Sequence, residues 1–267
     1  MWVRRPDARL NGVDQQRWPE QSQNTSLPCS SLAVRPTRCP DRLAQSLAWA
    51  GHGAFIFAAV LMAALHLVPQ WGGDANPVTA MLSEYAYAPG RWMWALALTA
   101  TSAGSAAVGI ALHRTGLLTR WAATWLVVWC VAIFLVAVFH KDPQGGAVSL
   151  TGKLHLYATG IACAALPIAA LALARRHRTR PPWHRFATWT RRLAVTAIPF
   201  FLPFIVPFAL NMALGEGKIP TPATGLVERL MAGLELALLA VLAVWAHRAA
   251  TERPTEVPAA LPVGSGQ

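Results

Sequence analysis

Charge is what this chain has least of. Asp, Glu, Lys and Arg make up 13% of its 267 residues, where an ordinary soluble domain carries about 25%. Since 54% of the residues are hydrophobic and the charges gather in the gaps between apolar runs, the composition excludes a water-soluble fold and predicts an integral membrane protein. Paired cysteines are also missing. Cys29 and Cys39 lie in the N-terminal segment and Cys130 and Cys163 inside apolar runs, so there is no CxxC pair to bind zinc or exchange disulfides. The net charge of +11 lacks the basic groove interleaved with aromatics that nucleic acid requires, and no nucleic-acid partner is expected. No activated Ser or Cys and no phosphate-binding loop is visible.

Residues 1–44 are rich in Gln, Asn, Ser, Pro and Arg and carry almost no apolar periodicity, which predicts a disordered tail. They lack the apolar core of a secretory signal, so the first apolar run is read as an uncleaved span. Six runs follow, at residues 48–68, 92–112, 121–139, 154–174, 193–214 and 227–246. Each approaches the ~20 residues that a helix needs to cross the hydrocarbon layer. Lipid offers no partner for a backbone amide, so runs of this length are expected to be helical. The prediction is an all-α integral membrane fold: a six-helix transmembrane bundle over residues 45–248, followed by a second disordered tail over 249–267.

Arginine sets the expected orientation. Arg35, Arg38 and Arg42 precede the first run, Arg114 and Arg120 flank the second gap, seven arginines fall between residues 175 and 192, and Arg248 and Arg253 follow the last run. The other gaps hold Arg91, then Lys141 and Lys153, then Lys218. The positive-inside rule then places both termini in the cytoplasm of a multi-pass cell-membrane protein. Trp71, Trp92 and Trp94 at one face, with Trp183, Trp189 and Trp245 at the other, read as interfacial belts. Thr101, Ser105 and Gly109 form a small-residue stripe suited to close helix approach. Pro199, Pro203 and Pro207 each remove a helical amide, which predicts a kink or local opening in the fifth run.

This topology gathers polar groups on the extracytoplasmic face. Asn76 as a cap, Pro77 at a first helical position and a stop at Pro89-Gly90 predict a short interfacial helix of about ten residues carrying Ser83, Glu84 and Tyr85. The turn His140–His155 lies on the same face. His140 would end one helix and His155 would sit in the first turn of the next, where the dipole favours a neutral ring able to bind a metal or accept a proton. Asp142 can pair with either histidine or cap the turn. Asn211, Glu228 and Arg229 arrive from the last two spans, and His66 from the first can join them. Arg229 is expected to pair with a carboxylate, Glu84 first among them. Glu235, two turns deeper on the Glu228 face, must be protonated, paired or facing a wet cavity. His140, Asp142 and His155 are the candidate ligands of a divalent metal such as zinc or manganese. The alternative is a polar cluster that clamps the loop.

Four motifs in order, Leu82-Ser83-Glu84, Phe139-His140-Lys141-Asp142-Pro143, Gly152-Lys153-Leu154-His155 and Gly225-Leu226-Val227-Glu228-Arg229-Leu230, resemble those of the domain-of-unknown-function 998 family of prokaryotic multi-pass membrane proteins. The resemblance spans about residues 46–248. It implies a shared fold and polar set without a known activity.

Two functions suit these groups. One is binding of a membrane lipid or small amphiphile in an outward-facing polar cavity, as a transport or accessory component, with itself or another chain as oligomeric partner. The other is a membrane-embedded enzyme with His155, Asp142, Glu84, Glu228 and Glu235 as candidate catalytic groups. Its chemistry would be metal- or His/carboxylate-assisted hydrolysis, or acid-initiated cyclisation or isomerisation of an apolar substrate.

Overall fold

Polar caps mark where the helices start. The computed structural model describes residues 41–73, 76–143, 149–214 and 224–252, with side-chain surroundings after residue 200 in the sixth helix limited to 201–204 and 206. The tail residues 1–40 and 253–267 lie outside this description. Asp41 caps α1 (Arg42–Leu67) by accepting from Ala44 N, and it pairs with Arg114 Nε at 2.9 Å. The helical domain therefore begins ahead of residue 45, because this carboxylate satisfies the first amides and ties them to a second helix. A short turn, α2 (Pro69–Gly72), and a 3-10 helix (Leu82–Tyr87) lead into α3 (Arg91–Arg114). Thr119 caps α4 (Arg120–Val138), and Ser149 caps α5 (Leu150–His177). The remaining helices are α6 (His184–Leu214) and α7 (Thr224–Thr251).

α1, α3, α4, α5 and α7 are each long and apolar enough to cross a membrane, and the described residues contain no strand. Only 28% to 50% of the residues in their most apolar stretches are buried within the protein. The outward side chains include Val60, Val127, Val131 and Phe134. A continuous apolar exterior of this kind needs lipid around it. The long helices pack on their sequence neighbours, and α7 closes the ring by packing on α1 and α3.

Small residues let α3 and α4 approach. Trp129 Nε1 donates to Ser105 Oγ at 3.0 Å, Ser102 Oγ donates to Cys130 O at 2.8 Å, and Gly109 lies against Leu126. One apolar cluster, around Trp129, Trp245 and Leu166, fills the end nearer Asp41, and a second, around Leu65, Tyr85 and Trp94, fills the end nearer Asp142.

Several expectations need correction. α6 runs as one helix through Pro199, Pro203 and Pro207, so the expected local opening does not break it, while a kink is compatible with a continuous helix. Trp71, Trp92 and Trp189 are exposed as interfacial residues should be, but Trp94 and Trp245 are core residues, 5% and 0% exposed. Trp94 stands two positions after Trp92 and so projects from almost the opposite side of α3. The ten-residue interfacial helix is also not what forms. Asn76 Oδ1 does accept from Val78 N at 2.9 Å, but the turn it starts ends at Ala80, and Met81 is extended before the six-residue 3-10 helix. Leu82 N is drawn to a side chain on α7 instead of to a helical carbonyl.

Candidate functional site

The site lies at the end of the bundle that carries the 3-10 helix, the α4–α5 connection and the start of α7. Leu82 N donates to Glu228 Oε2 at 2.6 Å, Leu226 N to Val78 O at 3.1 Å, and Thr224 Oγ1 to Thr79 O at 3.1 Å. These bonds fasten the connection after α2 onto α7. Without them an irregular segment at this depth would leave backbone groups unpaired.

Arg229 is the centre of the fastening. Its Nε donates to His66 Nε2 at 2.6 Å, one terminal nitrogen to Ala80 O and Gly225 O at 2.6 and 2.9 Å, and the other to Tyr85 Oη at 3.3 Å. The guanidinium also stands 5.7 Å from the Tyr85 ring centroid. His66 Nδ1 lies 2.6 Å from Met62 O and must donate to it, so the ring accepts from Arg229 as a neutral Nδ1–H tautomer. Arg229 is thus turned inward as expected, but these partners are neutral acceptors, and the pairing with Glu84 is not among them. The arginine of one span thereby ties α7 to α1, to the Ala80 connection and to the 3-10 helix. A Cβ at position 225 would collide with Ala80 O and crowd the guanidinium, so glycine is required there.

Asp142 and His155 hold the α4–α5 connection in separate ways. Asp142 accepts from Ser149 Oγ at 2.5 Å and from Ser149 N at 2.8 Å, steadying the residue that caps α5. Gly152 permits this, because a Cβ there would occupy the place of the carboxylate. His155 Nδ1 donates to Phe139 O, the end of α4, at 2.7 Å, which leaves Nε2 as the basic nitrogen of the neutral ring. α5 starts at Leu150, so His155 sits in the second turn, beyond the strongest dipole field. His140 is exposed, and among the described residues no hydrogen bond joins it to Asp142 or His155. Among the described residues no three His, Cys, Asp or Glu side chains converge on a metal position. The proposed set His140, Asp142 and His155 is divided because Asp142 serves Ser149 and His155 serves Phe139. The clamp, the other reading of these residues, is what the hydrogen bonds describe.

The Ser149 hydroxyl, then the Ser149 amide, hold the Asp142 carboxyl below its ordinary value of 3.8. A lowered folded-state value means that the clamp contributes above the unfolded carboxyl's pKa and is lost as pH falls through the folded one. Amide exchange in the first turn of α5, corrected for intrinsic rate, is therefore expected to rise on acidification below about pH 4. In Asp142→Ala it should be raised already at neutral pH and should lose that pH dependence. Parallel profiles for the two proteins would show that Asp142 does not hold the turn.

Two cavities adjoin these groups. The larger, about 880 Å³, lies among α5, α6 and α7. Its polar wall is Ser83, Lys141, Asp142, Lys153, His155 and Glu228; Ile161, Phe201, Phe204 and Met231 supply apolar wall. The smaller, about 390 Å³, lies deeper and contains His66, Arg229 and Glu235 in its wall. Thr159, Cys163, Glu228 and Met231 border both. The structure therefore brings Ser83, Asp142, His155 and Glu228 to one space and Glu228, Arg229 and Glu235 to the next. Glu84 lines neither, and the side chain of Asn211 lies outside the described residues. Sequence reasoning missed Lys141 and Lys153 as site residues, although both flank the polar turn. It also missed Phe201 and Phe204, whose i, i+3 spacing placed them on one helix face.

The family model described as a protein of unknown function (DUF998) matches residues 52–245. No curated protein and no solved structure matches the chain.

Proposed function

The chain therefore belongs to the DUF998 family of proteins of unknown function, and from that premise we propose that it binds a lipid or small amphiphile with an anionic headgroup in its larger cavity. The observation that carries this reading is that Lys141 and Lys153 share the wall of that cavity with a largely apolar lining. Lys141 and Lys153 border it beside His155, while Phe201, Phe204, Ile161 and Met231 supply hydrocarbon contact. Lys141 Nζ has a thioether, Met81 Sδ at 3.0 Å, as its hydrogen-bond acceptor. Sulfur is a weak acceptor, so an ammonium held this way retains capacity for a phosphate or carboxylate. Asp142 competes little for it, since both its oxygens are engaged by Ser149. α6 completes the cavity wall and serves as the sixth span. The arginine distribution supports an extracytoplasmic mouth and cytoplasmic termini in the cell membrane.

Two measurements test this. In cells carrying a cysteine-free background, Lys153→Cys is expected to react with an impermeant thiol reagent and Thr179→Cys to be protected; the reverse pattern refutes the orientation. For binding, native mass spectrometry of the protein with dodecyl phosphate should show saturable one-to-one adducts. Lys141→Gln combined with Lys153→Gln should weaken them about tenfold or more, the equivalent of one charge-assisted hydrogen bond. If the double variant binds as the parent does, the cavity does not select anionic headgroups.

A further inference from the structure

The deeper chamber is bordered by one buried acid without a hydrogen-bond partner. Glu235 is only 7% exposed, borders the chamber, and its Oε1 is buried with no hydrogen-bond partner. Apart from the Cys163 thiol, a weak donor, the polar groups around it are engaged elsewhere. Thr101 Oγ1 donates to Ala97 O and Thr159 Oγ1 to His155 O, each at 2.8 Å. Trp129 donates to Ser105, Glu228 accepts from Leu82, and Arg229 and His66 bond each other. Leu98, Ile133, Val136 and Leu239 make much of the rest of the wall hydrocarbon.

An orphaned buried carboxyl is costly, so its persistence in an apolar chamber calls for a partner. We propose that this chamber is a second binding site, for a neutral apolar molecule bearing one hydroxyl, which hydrogen-bonds to Glu235. Charge selects against the alternatives. A cationic amphiphile would meet Arg229 in the chamber wall and Lys141 and Lys153 in the wall of the adjoining cavity. An anionic one would bury its charge beside the Glu235 and Glu228 carboxyls, with Arg229 already committed to His66, Ala80, Gly225 and Tyr85. Size limits the ligand too: a water-sized group takes roughly 30 Å³, so about 390 Å³ holds about a dozen non-hydrogen atoms, the size of undecanol. The hydroxyl both donates to and accepts from a carboxyl, and the chain lies along Ile133, Val136 and Leu239.

The test uses the full chain in phosphatidylcholine nanodiscs and a diazirine-bearing undecanol as photoprobe. Attachment is read at Met62 and Trp94, chamber residues away from Glu235 itself. Undecanol is expected to compete, whereas undecylamine and undecane compete weakly. Glu235→Gln, which keeps a hydrogen-bonding group, should retain labelling within about twofold, and Glu235→Leu should lose about fivefold or more, the worth of one hydrogen bond. Glu235→Leu should still bind dodecyl phosphate like the parent, which shows that the fold and the larger cavity are intact and separates this site from that one. Unchanged labelling of Glu235→Leu, or equal competition by undecane, would reduce the chamber to an apolar void. Stronger competition by undecylamine, with loss in Glu235→Gln, would overturn the neutral hydroxyl as its ligand.

Discussion

Arg229→Ala is expected to destabilise the protein by about 3 kcal/mol, the worth of one to two charge-assisted hydrogen bonds lost together. Arg229 joins α1, through His66, to α7 and to the connection carrying Ala80 and Tyr85. Truncation would leave His66 Nε2 and the Ala80 carbonyl without their donor in a site of restricted water. For a domain of this size the loss lowers the melting temperature in detergent by roughly 6–12 °C. Lysine should restore less than half of it, because a single ammonium cannot serve an imidazole, two carbonyls and a phenol in one plane. Gly225→Ala should produce a loss of the same kind by displacing the Ala80 carbonyl. Combined with Arg229→Ala it should cost less than the sum of the two, since both break one set of contacts. A melt of Arg229→Ala that superimposes on the parent would reduce Arg229 to an interfacial residue snorkelling to water.

The second large effect has the opposite sign. Glu235→Leu is expected to stabilise the protein by about 1–3 kcal/mol, the usual cost of a buried polar group without a partner, which is a rise of roughly 2–12 °C in melting temperature. Leucine fills nearly the same space and adds contact with the apolar chamber wall. Glu235→Gln should change the melting temperature little, because it keeps a polar group in the same place. Gain of stability together with loss of the hydroxylated ligand would identify Glu235 as a group kept for binding at the expense of the fold. A fall in the melting temperature of Glu235→Leu would mean that the carboxyl is already satisfied within the protein.

Both effects depend on contacts between spans, and these mark the limit of what sequence alone can reveal. Long apolar runs with few charges permit little besides membrane-type helices, because backbone amides in lipid must be satisfied within their own segment. The helical class, the family and the positions of the long helices were legible for that reason. So was the meeting of Ser83, Asp142, His155 and Glu228 at one end, which follows from alternating helix direction. Partner choice was not legible. Arg229 was expected beside a carboxylate, yet it bonds to His66, Tyr85 and two carbonyls, a choice made by which acceptors three other segments leave within reach. Asn76 and Pro77 start only a single turn, and Glu228 from α7 captures the Leu82 amide, so the expected helix becomes a turn and a 3-10 segment. Local signals determine where a helix can begin and what surface it offers to lipid. Which polar groups meet, and which carboxyl is left without a partner in a chamber, depends on helix rotation and on residues up to 205 positions apart, and only the tertiary structure decides it.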